Sequence, residues 1–240
     1  MKSFVFLLVT CFHFSVSSQI VTNNPQQVSG KLKKKDSLST LYLDFQQLST
    51  SPNLLQNTDF LTIPLGERAN ETPLKVWSFQ AGICAPITKH FSIDGGLAWM
   101  QNGEQYNWAS NSTDSSYAYT TKYRYFGMPL QLKYQTGKDF VFFIGAGLSP
   151  QLFQSYQQDI SWTDSLGNAS KQSLKDENIC ETFVLSAIAS TGIQINFKSN
   201  YGLRLSVQYR HQLSNGYGPY QYFKYFTTGI GGGIALTRKF

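Results

Sequence analysis

The sequence predicts an all-β protein, an eight-stranded antiparallel up-and-down transmembrane β-barrel. Three observations predict it. First, apolar and polar residues alternate with period two through eight segments, about 38–48, 74–87, 90–108, 118–136, 139–157, 181–198, 201–213 and 221–240. Such alternation marks a strand with two unlike faces. Second, the connections alternate in length. Those at 88–90, 136–139 and 198–200 are tight, whereas 49–73, 109–117 and 158–180 are long and polar. Short turns at one end and long loops at the other is the asymmetry of outer-membrane barrels. Third, the later strands carry Leu, Ile, Phe and Tyr on one face and mainly Gly, Ala, Ser, Thr and Gln on the other. Eight strands enclose a lumen just wide enough for side chains, so the small face belongs inside and the large face in lipid.

Composition agrees. Charged residues make up 14% of the 240 and aromatics 15%, against ~25% charged in an ordinary globular domain. A disordered chain and a coiled coil are excluded. Ahead of the strands, Lys2 precedes an apolar run from Phe4 to Val16 and small residues up to Ser18. That is the order of a secretory signal peptide, here residues 1–18, with cleavage expected between Ser18 and Gln19. The run falls short of the ~20 residues a spanning helix needs. Residues 19–37 read as a polar leader on the periplasmic side, and 38–240 as the barrel. Lys2 and the leader lysines Lys31, Lys33, Lys34 and Lys35 account for five of the six net positive charges. No folded basic face is left for nucleic acid. After cleavage two cysteines remain, Cys84 and Cys180, whose pairing the sequence leaves open. With only His90 and His211 besides, neither a metal site nor a cofactor is expected.

The strands fix which way each side chain faces. In 183–197, Phe183, Leu185, Ala187, Ala189, Ile193, Ile195 and Phe197 oppose Ser186, Ser190, Gly192, Gln194 and Asn196. In 202–212, Leu203, Leu205, Val207 and Tyr209 oppose Arg204, Ser206, Gln208 and Arg210. In the last strand, Phe226, Ile230, Ile234, Leu236 and Phe240 oppose a row of glycine, alanine and threonine. Pro129 and Pro150 fall inside strands. Proline marks edges and bulges, so a bulge is expected near Pro129 and the top of the membrane band near Pro150. Four charged residues share the small face: Asp94, Lys133, Arg204 and Arg210. They are expected in the lumen as an ionic plug, with Asp94 and Lys133 in contact, because buried charges require partners; a gated ion path is the alternative. Lys122, Arg124 and Lys224 share the lipid-facing parity near the loop ends. They read as contacts for lipopolysaccharide phosphates or as solvated rim charge. For catalysis, His211 with Ser206 or Ser214 is the only visible base and nucleophile, and no carboxylate is near in sequence. No catalytic residues are therefore expected.

Two stretches carry a resemblance. Ile234 and Leu236 on one face of the last strand, followed by terminal Phe240, resemble the signal read by the outer-membrane barrel assembly machinery. Tyr125-Phe-Gly-Met-Pro-Leu-Gln-Leu-Lys-Tyr134, followed by Phe140-Val-Phe-Phe-Ile-Gly-Ala-Gly-Leu148, resembles the PorT-like outer membrane β-barrel family of Bacteroidota. The likeness spans residues 74–240. It implies an outer-membrane protein without a shared active site, and some members take part in protein secretion or cell-envelope complexes. Asp36-Ser37-Leu38 and Asp164-Ser165-Leu166 also resemble the short O-glycosylation sites of that phylum. The function expected is a non-enzymatic envelope protein whose loops 49–73 and 158–180 bind a partner. Its other partners are outer-membrane lipids and, during biogenesis, the assembly machinery. The alternatives are an outer-membrane enzyme of the lipid acyltransferase or protease type and a small-solute pore.

Overall fold

A computed structural model describes residues 39–57, 64–175, 179–197 and 200–240. The expected signal segment 1–18, the leader 19–37 and Asp36-Ser37-Leu38 lie outside the described residues. The alternating segments become strands β1 (Thr40–Gln56), β2 (Thr72–Pro86), β3 (Phe91–Ala109), β4 (Ser116–Gly127), β5 (Leu130–Gly137), β6 (Phe140–Thr163), β7 (Ala169–Leu174), β8 (Phe183–Asn196), β9 (Tyr201–Gln212) and β10 (Phe223–Lys239). β4 and β5 lie end to end as one stave, since both pair with β3 and with β6. β7 pairs with the outer end of β6. Eight staves remain, each antiparallel to its neighbours, and β1 pairs with both β2 and β10. The ring is therefore closed.

The register sets the tilt. Passing from partner to partner once round the ring, Thr40 leads through Cys84, Asp94, Gln131, Gly147, Ile188, Arg210 and Gly229 to Thr50. The path returns to β1 ten residues higher. With ~3.3 Å per residue and ~4.8 Å between strands, that stagger tilts the staves by about 40°.

The two faces are inverted relative to a water-soluble barrel. On β1, outward Leu43 is 54% exposed while inward Tyr42 is 2% exposed. The outward side of the wall carries Phe79, Ile93, Leu132, Ile144, Leu205 and Ile234, all exposed, and the buried set includes Gln80, Asp94, Gln131, Lys133, Arg204 and Arg210. Only hydrocarbon stabilises such an outer surface while leaving the polar groups to satisfy one another inside. On β6 the outward apolar run from Phe140 ends at Leu152, two residues past Pro150. Beyond this level the staves continue as paired strands in more polar sequence.

Three sequence expectations are corrected. β1 runs to Gln56, paired with β10 throughout, so 49–56 is wall rather than loop. Residues 158–163 pair with 169–174, so much of 158–180 is a projecting hairpin arm. Pro129 causes no bulge. Asp94 and Gln131 below it and Ala98 and Gly127 above it keep one register. Pro129 lies on the same tier as Pro150. Gly96 N–H donates to the Pro129 carbonyl at 3.2 Å and Met128 N–H to the Pro150 carbonyl at 2.9 Å. Neither proline has an N–H to return the bond, and the ladder simply skips a rung. The bulge falls at Gln154 instead, where the partners jump from Arg124–Ser155 to Tyr125–Phe153.

The tight turns have local causes. Thr88 Oγ1 accepts the Phe91 N–H at 3.0 Å between β2 and β3. Between β5 and β6, Gly137 has φ of 111°, and a Cβ there would lie 1.9 Å from the Phe140 carbonyl oxygen.

Candidate functional site

The lumen holds two polar networks, one near the short turns and one at the long-loop mouth. In the lower network Asp94 is the hub. Its side chain is nearly fully buried, and Lys133 Nζ lies 2.6 Å from Oδ2, with Arg204 Nη1 3.3 Å from the same oxygen. Tyr42 donates its hydroxyl to Oδ1 at 2.6 Å and accepts from the Gln80 amide. The strands dictate these contacts. Asp94 sits opposite Gln131 and Lys133 opposite Ser92, so Asp94 and Lys133 are a diagonal cross-strand pair within reach of a long side chain. Arg204 sits directly opposite Gln194, whose Oε1 accepts from Nε at 3.2 Å and Nη2 at 3.1 Å. That bond aims the guanidinium across the lumen. The cations also pack on rings: Lys133 Nζ is 5.0 Å from the Phe143 centroid and Arg204 Cζ 4.9 Å from that of Tyr42, which suits a cation–π contact. Asp44 adds a second carboxylate, held by Gln46 Nε2 at 2.7 Å. Two acids thus face two bases, and the remaining space is about 10 Å³. The lower lumen is a plug.

Arg210 does not join it. It points inward as its parity requires, but stands six residues, about 20 Å, further along β9. There Nη2 donates to the Gln101 carbonyl and to Asn102 Oδ1, both at 2.6 Å.

The upper network escaped the sequence reading. Glu104 on β3 accepts from the Tyr123 and Tyr225 hydroxyls, each at 2.8 Å. The Tyr123 and Tyr217 hydroxyls are 2.8 Å apart. Arg68, in a 3-10 helix at Gly66–Asn70, donates from Nη2 to the Tyr217 hydroxyl at 2.8 Å and from Nε to Glu71 Oε1 at 3.0 Å. Tyr119 donates to the same Glu71 oxygen at 2.8 Å. The rings stack, with Tyr217 and Tyr225 centroids 4.8 Å apart at 18°. These groups surround an open cavity of about 330 Å³. One signal was available: Tyr117, Tyr119, Tyr123 and Tyr125 share the inward parity of β4, and Glu104 that of β3. Arg68, Glu71 and Tyr217 lie in connections, where alternation says nothing.

The remaining candidates are dispersed. Lys122 and Arg124 project outward from β4, and Arg124 donates to Ser155 Oγ at 3.3 Å and Gln157 Oε1 at 3.1 Å. Lys224 lies on β10, four staves away in either direction round the ring. The three cations therefore form two separate sites and not one patch. Ile234, Leu236 and Phe240 all face out and are exposed, and Phe240 N–H donates to the Ser39 carbonyl at 3.0 Å. Ser206 and His211 project to opposite faces of β9. Ser214 Oγ accepts the Leu185 N–H at 2.8 Å, and His211 Nδ1 is 3.0 Å from Thr228 Oγ1. No serine–histidine pair is brought together among these residues. Cys84 lies near the short turns, opposite Thr40, and Cys180 bridges to Tyr217 at the mouth; the two form no disulfide.

No protein-family model matches the sequence, and no curated protein is similar to it at a significant level. Similar solved structures include the outer membrane protein OprG of Pseudomonas aeruginosa, at 10% identity, covering 85% of this chain and 96% of that one with a TM-score of 0.45. Neisserial surface protein A matches at 13% identity over 84% and 97% of the two chains, TM-score 0.42. Ail of Yersinia pestis, the attachment invasion locus protein, matches at 12% identity over 83% and 98%, TM-score 0.34.

Proposed function

We propose that this chain is an integral outer-membrane protein with a non-enzymatic role in the cell envelope, exported through a cleaved signal peptide and presenting its long-loop mouth to a partner. The single observation that carries the reading is the inverted wall: an exposed apolar girdle around a lumen blocked by Asp94, Lys133 and Arg204. A girdle of that kind demands a bilayer, and a blocked lumen is not a conduit. Hence the working surface is the rim. The arm made by β6 and β7 projects there, and its Trp162 lies between Tyr117 and Ser170 in the paired strands. Loops and projections on a rigid scaffold are where recognition is commonly placed.

The PorT-like assignment rests on the segment Tyr125–Leu148. Within it Pro129 occupies the skipped rung, Leu130 and Tyr134 face out, and Lys133 reaches the plug. Membership in that family brings association with a secretion or envelope complex. Ile234, Leu236 and Phe240 serve as the assembly signal on the outward face of the last strand. Lys122 with Arg124 forms the site for a lipopolysaccharide phosphate, and Lys224 is a separate rim charge.

The test is twofold. The protein is expected in the detergent-soluble membrane fraction, with planar-bilayer conductance no greater than background. Cross-linking in intact cells is expected to recover an envelope protein whose capture fails when residues 164–168 of the arm are replaced by glycine and serine. Sustained conductance overturns the sealed lumen. Capture indifferent to the arm overturns the partner surface.

A further inference from the structure

The cavity at the long-loop mouth combines features that specify a ligand. Glu67, Glu71 and Glu104 line it, with Arg68 as the one cation in its wall among the described residues. The Glu71 side chain is 2% exposed. Its Oε1 takes bonds from Arg68 and Tyr119, while its Oε2 is buried with no hydrogen-bond partner among the described residues. Buried polar atoms are nearly always matched, so the wall contains a vacant acceptor beside an excess of negative charge. Tyr117, Tyr119 and Tyr217 supply ring faces, and such faces attract cations. The volume of about 330 Å³ falls at the small end of ligand pockets.

The chemistry narrows further. Among the described residues no group of three His, Cys, Asp or Glu is placed to hold a metal ion, so the cation is organic. A guanidinium prefers two carboxylate oxygens at once, whereas an ammonium is a compact point charge. Glu71 has a single oxygen to give. We propose that the mouth cavity binds an alkylammonium group, lodged between Glu71 Oε2 and the tyrosine rings. The group belongs either to a free small amine or to a lysine side chain of the partner. The inference deepens the rim reading and rests on it only for which compartment supplies the ligand.

The experiment uses the chain purified from membranes into detergent micelles, with β-sheet circular dichroism as the folding control. It is titrated calorimetrically with 1,4-diaminobutane, with tri-lysine and with glucose. Saturable binding of either ammonium probe is expected, weakened by about tenfold or more in Glu71→Gln, the loss of one charge-assisted bond. Tyr117→Ala, which leaves every carboxylate in place, is expected to weaken it as well. Binding of the diamine identifies a free amine as sufficient; binding of tri-lysine alone identifies a peptide lysine. The proposal is overturned if neither ammonium probe saturates the folded protein, if Glu71→Gln binds unchanged, or if glucose binds as tightly. Because the isolated barrel is titrated, a failed capture in cells bears on the rim reading and not on this site.

Discussion

The lumen is closed at one end and open at the other by the same kinds of side chain. At the short-turn end two carboxylates meet two cations, tyrosine and phenylalanine rings cover them, and about 10 Å³ is left, at the limit of a single water. At the mouth three carboxylates meet one guanidinium amid tyrosines, and about 330 Å³ stays open. Provenance makes the difference. Every group in the plug comes from a strand whose register is fixed on both sides, so Lys133 and Arg204 converge on one Asp94 oxygen. Three side chains of the mouth network come from connections: Arg68 and Glu71 from the link before β2, Tyr217 from the link before β10. Strands lay down a closed interior; connections leave a receptive one.

The largest effect is expected at the hub. Asp94→Ala strands Lys133 and Arg204 in the lumen without their carboxylate and is expected to lower unfolding free energy by about 3–5 kcal/mol, read from urea unfolding in micelles. Next is Gly145→Val. A Cβ at Gly145 would already lie 2.6 Å from Lys133 Cγ, so a branched side chain overpacks the plug, at about 1–3 kcal/mol in the same assay. A loss of about 1–3 kcal/mol is expected for Tyr225→Phe, which unpairs Oε2 of the buried Glu104 but leaves its Tyr123 bond in place. Were Tyr225→Phe as damaging as Asp94→Ala, the mouth would be as tightly built as the plug.

The smallest effect lies at the tip of the arm, outside the wall. Hydrogen bonds from the Asn168 side chain and backbone, and from the Leu166 backbone, hold the Asp164 carboxyl below its ordinary range. Asp164 Oδ1 accepts the Leu166 and Asn168 N–H groups, both at 2.9 Å. A carboxyl with a lowered folded pKa stabilises the turn above its unfolded value, about 3.9. That contribution is lost as pH falls through the lower, folded value. Protection of these two amides, read by hydrogen exchange and corrected for intrinsic rate, is therefore expected to persist at pH 5 and to fade only as pH falls below the ordinary carboxylate range.

How much of this was legible depends on what alternation encodes. Period two assigns a face, and it placed Asp94, Lys133, Arg204 and Arg210 all inside. It does not assign a height. The ten-residue stagger decides which levels meet, and it carries Arg210 away from Asp94; no local pattern reports that number. Lys122 and Lys224 share the outward face but not a neighbourhood. The fourth and eighth staves of an eight-stave ring stand opposite one another, so their separation was implicit in the predicted topology. The extent of β1 was hidden by physics. Beyond the bilayer a strand loses its oily face, and Ser49-Thr50-Ser51-Pro52 reads as loop although β10 pairs with it. Arg68, Glu71 and Tyr217 were hidden because connections have no parity.

The tier of Pro129 and Pro150 has a mechanical consequence. Above and below it the β4–β5 stave is laced to both neighbours, but at that height the lacing is one-sided on each flank. A course missing half its rungs gives more readily than the fully laced courses above and below it in the same stave. In that band, the Met128 and Gly96 amides should be the earliest to trade protons for deuterons, and the upper half of the stave should swing on them as on a hinge while the lower half stays clamped to the floor.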